Sequence, residues 1–155
     1  MLEKILVPID SIEWDNTLNG VENALELSKG WSMEEKEPEL ILFHVLHTNP
    51  SLPAKERERI QESEMSRIEG EFDVIKEMGQ ERNLTEIRTM VKQGKAAEEI
   101  IKTAQEEEVD LIVMGSGKLH DRSAKGRVKK FFYGSITEEV LHEAPCSVLV
   151  SRPMT

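Results

Sequence analysis

Five short apolar runs, separated by stretches with helical periodicity, restrict the possible folds of this chain more than any other feature. Residues 5–9 read Ile-Leu-Val-Pro-Ile and are closed by Asp10. Residues 40–46 follow Pro38, residues 111–114 read Leu-Ile-Val-Met, and residues 146–150 follow Ala144-Pro145. The run at 87–91 is weaker and alternates, with Ile87, Thr89 and Val91 on one side and Arg88 and Met90 on the other. Val- and Ile-rich runs with little alternation predict strands covered on both faces, as in a parallel sheet.

Helical spacing fills the intervals. Residues 15–29 place Leu18, Val21, Ala24, Leu25 and Leu27 near a 3.6 period, with Gly30 as the expected stop. Residues 54–82 carry Ile60, Ile68, Phe72, Ile75 and Met78 on one stripe, and residues 95–107 carry Ala96, Ala97, Ile100, Ile101 and Ala104. Residues 135–143 carry Ile136, Val140 and Leu141. The order β-α-β-α-β-α-β-α-β calls for a single α/β domain over residues 1–155: an open five-stranded parallel sheet, helices on both faces, right-handed crossovers. Residues 31–38, 47–53 and 117–130 are expected to be loops.

In such a sheet ligands bind beyond the carboxyl ends of the strands, where strand order reverses. Two loops stand out at such strand ends, Asp10-Ser11 after the first strand and Gly115-Ser116-Gly117 after the fourth, and they face one crevice if those strands are neighbours at the reversal. The second opens a basic segment. Residues 116–130 hold Lys118, Arg122, Lys125, Arg127, Lys129 and Lys130 against Asp121, within a chain whose formal net charge is −10. Gly134-Ser135 then begins a helix, with Ser135 as the expected N-cap and Glu138 in capping-box position. Glycines, cations and a helix N-terminus together suit an anion, and phosphate above others. Asp10 can accept hydrogen bonds from a ribose or an adenine amino group; it can equally cap the first helix.

Other chemistries find little support. A hydrophobic content of 38% beside 32% charged residues fits a soluble globular chain. Its acidic balance opposes general binding to nucleic acid or anionic membranes. No apolar run approaches a bilayer span, and the first residues are too quickly polar for a signal peptide, so a cytoplasmic location is expected. Cys146 lies in an apolar run and reads as a small buried hydrophobe in a reducing compartment. His44, His47, His120 and His142 show no metal-ligand spacing. The chain has neither a Walker phosphate loop nor Gly-x-Gly-x-x-Gly after its first strand. No general base or metal-holding carboxylate pair is recognisable, so no catalytic residue is assigned and hydrolysis is expected to be slow or absent.

Together these residues resemble the universal stress proteins. The resemblance runs almost end to end: KILVPID, LILFHVL, VKQGKAAEEIIKTAQEEEVDLIVMGS and FFYGSITEEVLHEAPCSVLVSRP, the last two being the most specific. It implies a Rossmann-like, adenine nucleotide alpha hydrolase-like sheet and a homodimer through the fifth strand, Cys146 to Val150. In one subgroup it implies ATP or a related adenine nucleotide, with or without magnesium, bound through Gly-x2-Gly-x9-Gly-Ser/Thr. Carried over by position, Asp10 would hold the adenosine part beside Pro8 and Ile9, with Val45 against the base. Met114 and Gly115 would complete that pocket, and Gly134, Ser135 and Ile136 would bind phosphate. Lys118 stands where the second glycine belongs, and the segment is six residues longer than the motif, so Gly117 and Gly126 are the candidate replacements. The resulting expectation is a stress-response sensor or regulator. The alternative is a dimeric interaction module that binds no nucleotide and docks an acidic partner, nucleic acid included, on its basic loop.

Overall fold

The computed structural model describes residues 2–10, 14–34, 36–115 and 134–152. Five strands, β1 (Lys4–Pro8), β2 (Glu39–Leu46), β3 (Ile87–Gln93), β4 (Leu111–Gly115) and β5 (Ser147–Ser151), form one sheet in the order β3-β2-β1-β4-β5. Every pairing is parallel. Four helices connect them: α1 (Trp14–Ser32), α2 (Ala54–Glu81), α3 (Ala96–Glu106) and α4 (Ser135–Glu143).

Strand alternation sorts the core into two layers. Ile5, Val7, Leu40, Leu42 and Val113 face Val21, Ala24 and Leu25 of α1 and Ile68, Phe72 and Ile75 of α2. On the other face, Leu6, Ile41, Phe43, Ile112 and Met114 pack against Ala97, Ile100 and Ala104 of α3 and Val140 of α4. Right-handed crossovers require this segregation, because the chain runs outward from β1 to β3 and then returns past β1 to β5. Each fully buried Leu or Ile contributes about 1.5–3 kcal/mol relative to its exposed state.

Some sequence-based expectations change. Gly30 does not stop α1, which continues to Ser32. A β-carbon at Gly30 would meet nothing within 4 Å, so the residue lies on an open face where a helix tolerates glycine at the cost of its entropy. The loop expected from residue 31 therefore starts two residues later. Ile60 of α2 and Ile136 and Leu141 of α4 are exposed, not core, at 47%, 41% and 42%. The buried residues of α2 (Ile68, Phe72, Ile75 and Gly79) all lie in its second half, and none of residues 54–67 is buried. The expected loop at 117–130 lies outside the described residues.

Near its C-terminal end, α2 is fastened to α1. Arg82 donates from Nε to Glu26 at 2.8 Å and from Nη2 to Glu22 at 2.7 Å. This fork holds the Glu26 carboxyl below the usual range and raises the guanidinium.

Candidate functional site

The strand order reverses between β1 and β4, and a cleft of about 720 Å³ opens at that point. It lies beyond the carboxyl ends of β1, β2 and β4, between the first turns of α1 and α4 and the first half of α2. The structure brings Pro8, Ile9, Asp10, Val45, Met114, Gly115, Gly134, Ser135 and Ile136 around this single cavity. Gly117 and Gly126 lie outside the described residues.

The first rim is the end of β1. Ile9 still belongs to the sheet, its N–H donating to the Phe43 carbonyl at 2.7 Å. Asp10 then turns away. Its N–H donates to Thr17 Oγ1 at 3.1 Å, and that hydroxyl donates to the Asp10 carbonyl at 2.9 Å. A side chain from α1 thus satisfies both backbone groups of Asp10, leaving an exposed carboxyl-bearing residue on a fixed backbone.

The second rim is the end of β4. Gly115 is required there by close approach: a β-carbon on it would fall 1.8 Å from the Asn16 carbonyl oxygen. Gly20, one turn along α1, approaches the same strand, and its β-carbon would sit 2.9 Å from the Gly115 nitrogen. The two glycines let the first turns of α1 lie directly on the β4 backbone, bringing Asn16 and Thr17 into the cleft wall.

The third rim is the N-terminus of α4. The capping expectation is corrected here: Gly134 is the N-cap, with φ of +93°, and Ser135 is the first helical residue. Among the described residues no side chain caps the helix, and the first turn closes through the Glu138 N–H on the Gly134 carbonyl at 3.0 Å. A glycine adopts this left-handed backbone without a β-carbon penalty, and the helix begins immediately after it. The Ser135 hydroxyl is therefore not used as a cap, and the amides of Ser135, Ile136 and Thr137 precede the first intrahelical bond. They form the positive end of the helix dipole on the cleft.

The fourth wall was not read from the sequence. Arg57, Ile60, Gln61, Glu64 and Arg67 of α2 all line the cleft, at intervals of three and four residues. Their spacing was visible as a second, mostly polar stripe on a helix whose apolar stripe drew attention. Arg57 Nε is buried with no hydrogen-bond partner among the described residues. Glu64 accepts or shares a proton with His44, Nε2···Oε1 being 2.8 Å, and His44 Nδ1 lies 2.7 Å from the Ile9 carbonyl. Glu71, one turn beyond Arg67, has its carboxyl pushed up by burial, against the opposing pull of Arg67 and His44.

Apolar side chains from Phe43, Val45, Ile60, Ile100, Met114 and Ile136 supply the remaining surface. Such a cavity suits a flat apolar group held among a few directional polar groups, with an anion at the α4 end. Among the described residues no three His, Cys, Asp or Glu side chains gather as a metal-binding group. Cys146 lies away from the cleft lining, and burial raises its thiol, with Asp110 adding to the effect. It is half-buried, less enclosed than its apolar run suggested.

Fold and cleft define a Rossmann-like α/β protein with its cavity at the topological switch point. The chain belongs to the universal stress protein family, whose model matches residues 1–152. A universal stress protein of Methanothermobacter thermautotrophicus is 34% identical over 156 residues, covering 98% of this chain and 97% of the relative. Among solved structures, a universal stress protein family member from Arabidopsis thaliana with AMP bound superposes with a TM-score of 0.70 at 15% identity, covering 99% of this chain and 93% of that one. A universal stress protein in complex with cAMP gives a TM-score of 0.67 at 18% identity, covering 96% and 95%. At these identities the two structures establish the shared fold. No helix among the described residues is long and apolar enough to cross a membrane.

Proposed function

We propose that this chain binds ATP or a related adenine nucleotide in the switch-point cleft and acts as a stress-response sensor or regulator with slow or no hydrolysis. The observation that carries this reading is one cavity with an apolar body, the Asp10 carboxyl on one rim and the N-terminal amides of α4 on another. Asp10 takes the adenosine part; Pro8, Ile9, Val45, Met114 and Gly115 enclose it; Gly134, Ser135 and Ile136 take phosphate. Gly117 and Gly126, on the basic segment, complete the phosphate side, with or without magnesium. The AMP and cAMP held by two proteins of this fold support the choice of base.

Calorimetry on protein purified without added nucleotide tests the reading. ATP, ADP or AMP is expected to bind, and Asp10→Ala and Ser135→Ala are each expected to weaken binding by about 1–3 kcal/mol, the range for losing a charged or buried hydrogen bond. No binding of any of the three at millimolar concentration would leave the other reading, an interaction module docking an acidic partner on its basic segment.

The proposal includes a cytoplasmic homodimer through β5. Among the described residues this strand is a sheet edge paired only with β4, and it presents Leu149 at 41% exposure on the α1 face of the sheet, in register with Val113. An unpaired apolar edge is a template for another strand. Val148 packs against the core, so a charge there would confuse unfolding with dissociation. Leu149→Asp is the cleaner test: sedimentation should report a monomer while the far-ultraviolet circular dichroism stays unchanged. A dimer that persists in this variant places the interface elsewhere.

A further inference from the structure

His44 is buried, and both of its ring nitrogens are engaged. The Ile9 carbonyl, 2.7 Å from Nδ1, can only accept, so Nδ1 carries a proton. Nε2 then faces Glu64 Oε1 at 2.8 Å, and two lone pairs cannot meet at that distance. One proton must lie between them, as imidazolium with carboxylate or as imidazole with carboxylic acid. Either way the pair holds one proton more than a neutral ring beside an ionised carboxylate.

The place of this bridge gives the proton a consequence. The second half of α2 is anchored by Ile68, Phe72 and Ile75 and fastened by Arg82, whereas no residue from 54 to 65 is buried. That unburied half is the outer wall of the cleft, and Glu64 is where it is hydrogen-bonded to the sheet. The other end of the bridge is the carbonyl directly before Asp10. One imidazole therefore sets the position of the α2 wall and of the β1 rim together.

We propose that His44 and Glu64 are positioning residues that hold the cleft in its binding shape through one shared proton, so that nucleotide binding weakens, and takes up a proton, as pH rises and the ligand-free pair gives that proton up. The inference rests on the nucleotide reading above. Glu64 of α2 bonds the ring; Glu71 of the same helix lies within electrostatic reach of His44, Arg67 and Asp10; Arg57 and His47 also line the cleft, and α1 presents uncharged Asn16 and Thr17. Raising the pH removes the shared proton, leaves a lone pair against a carboxylate, and releases the wall. Linkage makes the effect reciprocal, and one proton limits it to about tenfold in affinity per pH unit.

Glu64→Gln isolates the proton from the contact. A glutamine amide donates to Nε2 of a neutral ring and keeps the bridge without a titrating proton. Calorimetry with cAMP, whose phosphodiester does not titrate between about pH 6 and about pH 9, should show the wild-type affinity falling with pH. Repeating it in buffers of different ionisation enthalpy should show uptake of up to one proton. Glu64→Gln should hold the wild-type low-pH affinity with a flat profile and no uptake. An equal slope in both proteins, or no proton uptake by the wild type, overturns the proposal; the latter measurement stands even if the variant does not fold. ¹⁵N spectra of the His44 ring in ligand-free protein read the bridge independently, with Nδ1 protonated throughout and the Nε2 signal shifting as the shared proton leaves the bridge. If cAMP and ATP bind neither protein at any pH, the nucleotide reading falls and takes the coupling with it, and the ring spectrum still reports whether the proton exists.

Discussion

Gly115→Ala will destabilise the protein by at least about 3 kcal/mol and abolish nucleotide binding with it. The β-carbon would sit 1.8 Å from the Asn16 carbonyl oxygen and 2.6 Å from its carbon, a backbone clash that no side-chain rotation relieves. Overpacking a well-filled site against movable side chains costs about 1–3 kcal/mol. Here the whole first turn of α1 must lift off β4, taking with it Thr17, whose hydroxyl holds both backbone groups of Asp10. A loss of this size is a large fraction of the roughly 5–15 kcal/mol that keeps a domain folded. Urea unfolding should show a markedly lower midpoint. Gly30→Ala is the matched control, since its β-carbon meets nothing within 4 Å in a helical position. It should raise stability by about 0.5–1 kcal/mol through helix propensity alone. Equal effects from the two substitutions would show that the α1–β4 approach is not as tight as the backbone places it.

Gly115 also shows what could be read in the chain and what could not. The apolar runs and their order were sufficient to give the sheet and its parallel sense, because hydrophobic burial and crossover handedness leave few alternatives; the adjacency of the first and fourth strands came only with the family resemblance. The runs placed Asp10 and Gly115 at the carboxyl ends of their strands, facing one crevice on the condition that the first and fourth strands are neighbours. The reason for glycine at 115 was different from the one inferred. Close approach to an anion was expected, and close approach of a helix backbone was found. A glycine in a strand-end loop reports that something comes near without saying what.

The misreadings share a physical cause, the competition between local pattern and tertiary placement. Ile60 continues the apolar period of α2, but it lies in the half of the helix with no buried residue and reaches the cleft, not the core. Ser135 and Glu138 have capping-box spacing, yet Gly134 starts the helix one residue earlier through a left-handed backbone. His44 was legible as a buried strand residue. Its partner was not, because Glu64 lies on a helix contacted only after the sheet has formed. Polar residues on long helices usually face solvent, and only the placement of α2 beside the cleft makes Arg57, Gln61, Glu64 and Arg67 part of a wall.

Ile136→Glu is expected to move stability and binding in opposite directions, which separates an anion site from a merely accessible helix end. Ile136 is 41% exposed and lies in the first turn of α4, so the substitution removes little buried surface. An acid there complements the helix dipole and should stabilise the fold by about 0.3–1 kcal/mol. The same carboxylate would stand among the amides assigned to phosphate. Two unit charges 4 Å apart repel by about 4 kcal/mol at an effective dielectric constant of about 20. Affinity for ATP should therefore fall by a factor on the order of 100 or more, since each 1.4 kcal/mol is about tenfold. Ile136→Gln keeps the size and hydrogen-bonding capacity without the charge and should lose far less. The contrast should shrink for adenosine, which brings no phosphate to the α4 end. Equal losses for ATP and adenosine would move the phosphate away from Gly134, Ser135 and Ile136 and leave the α4 terminus as a structural edge of the cleft.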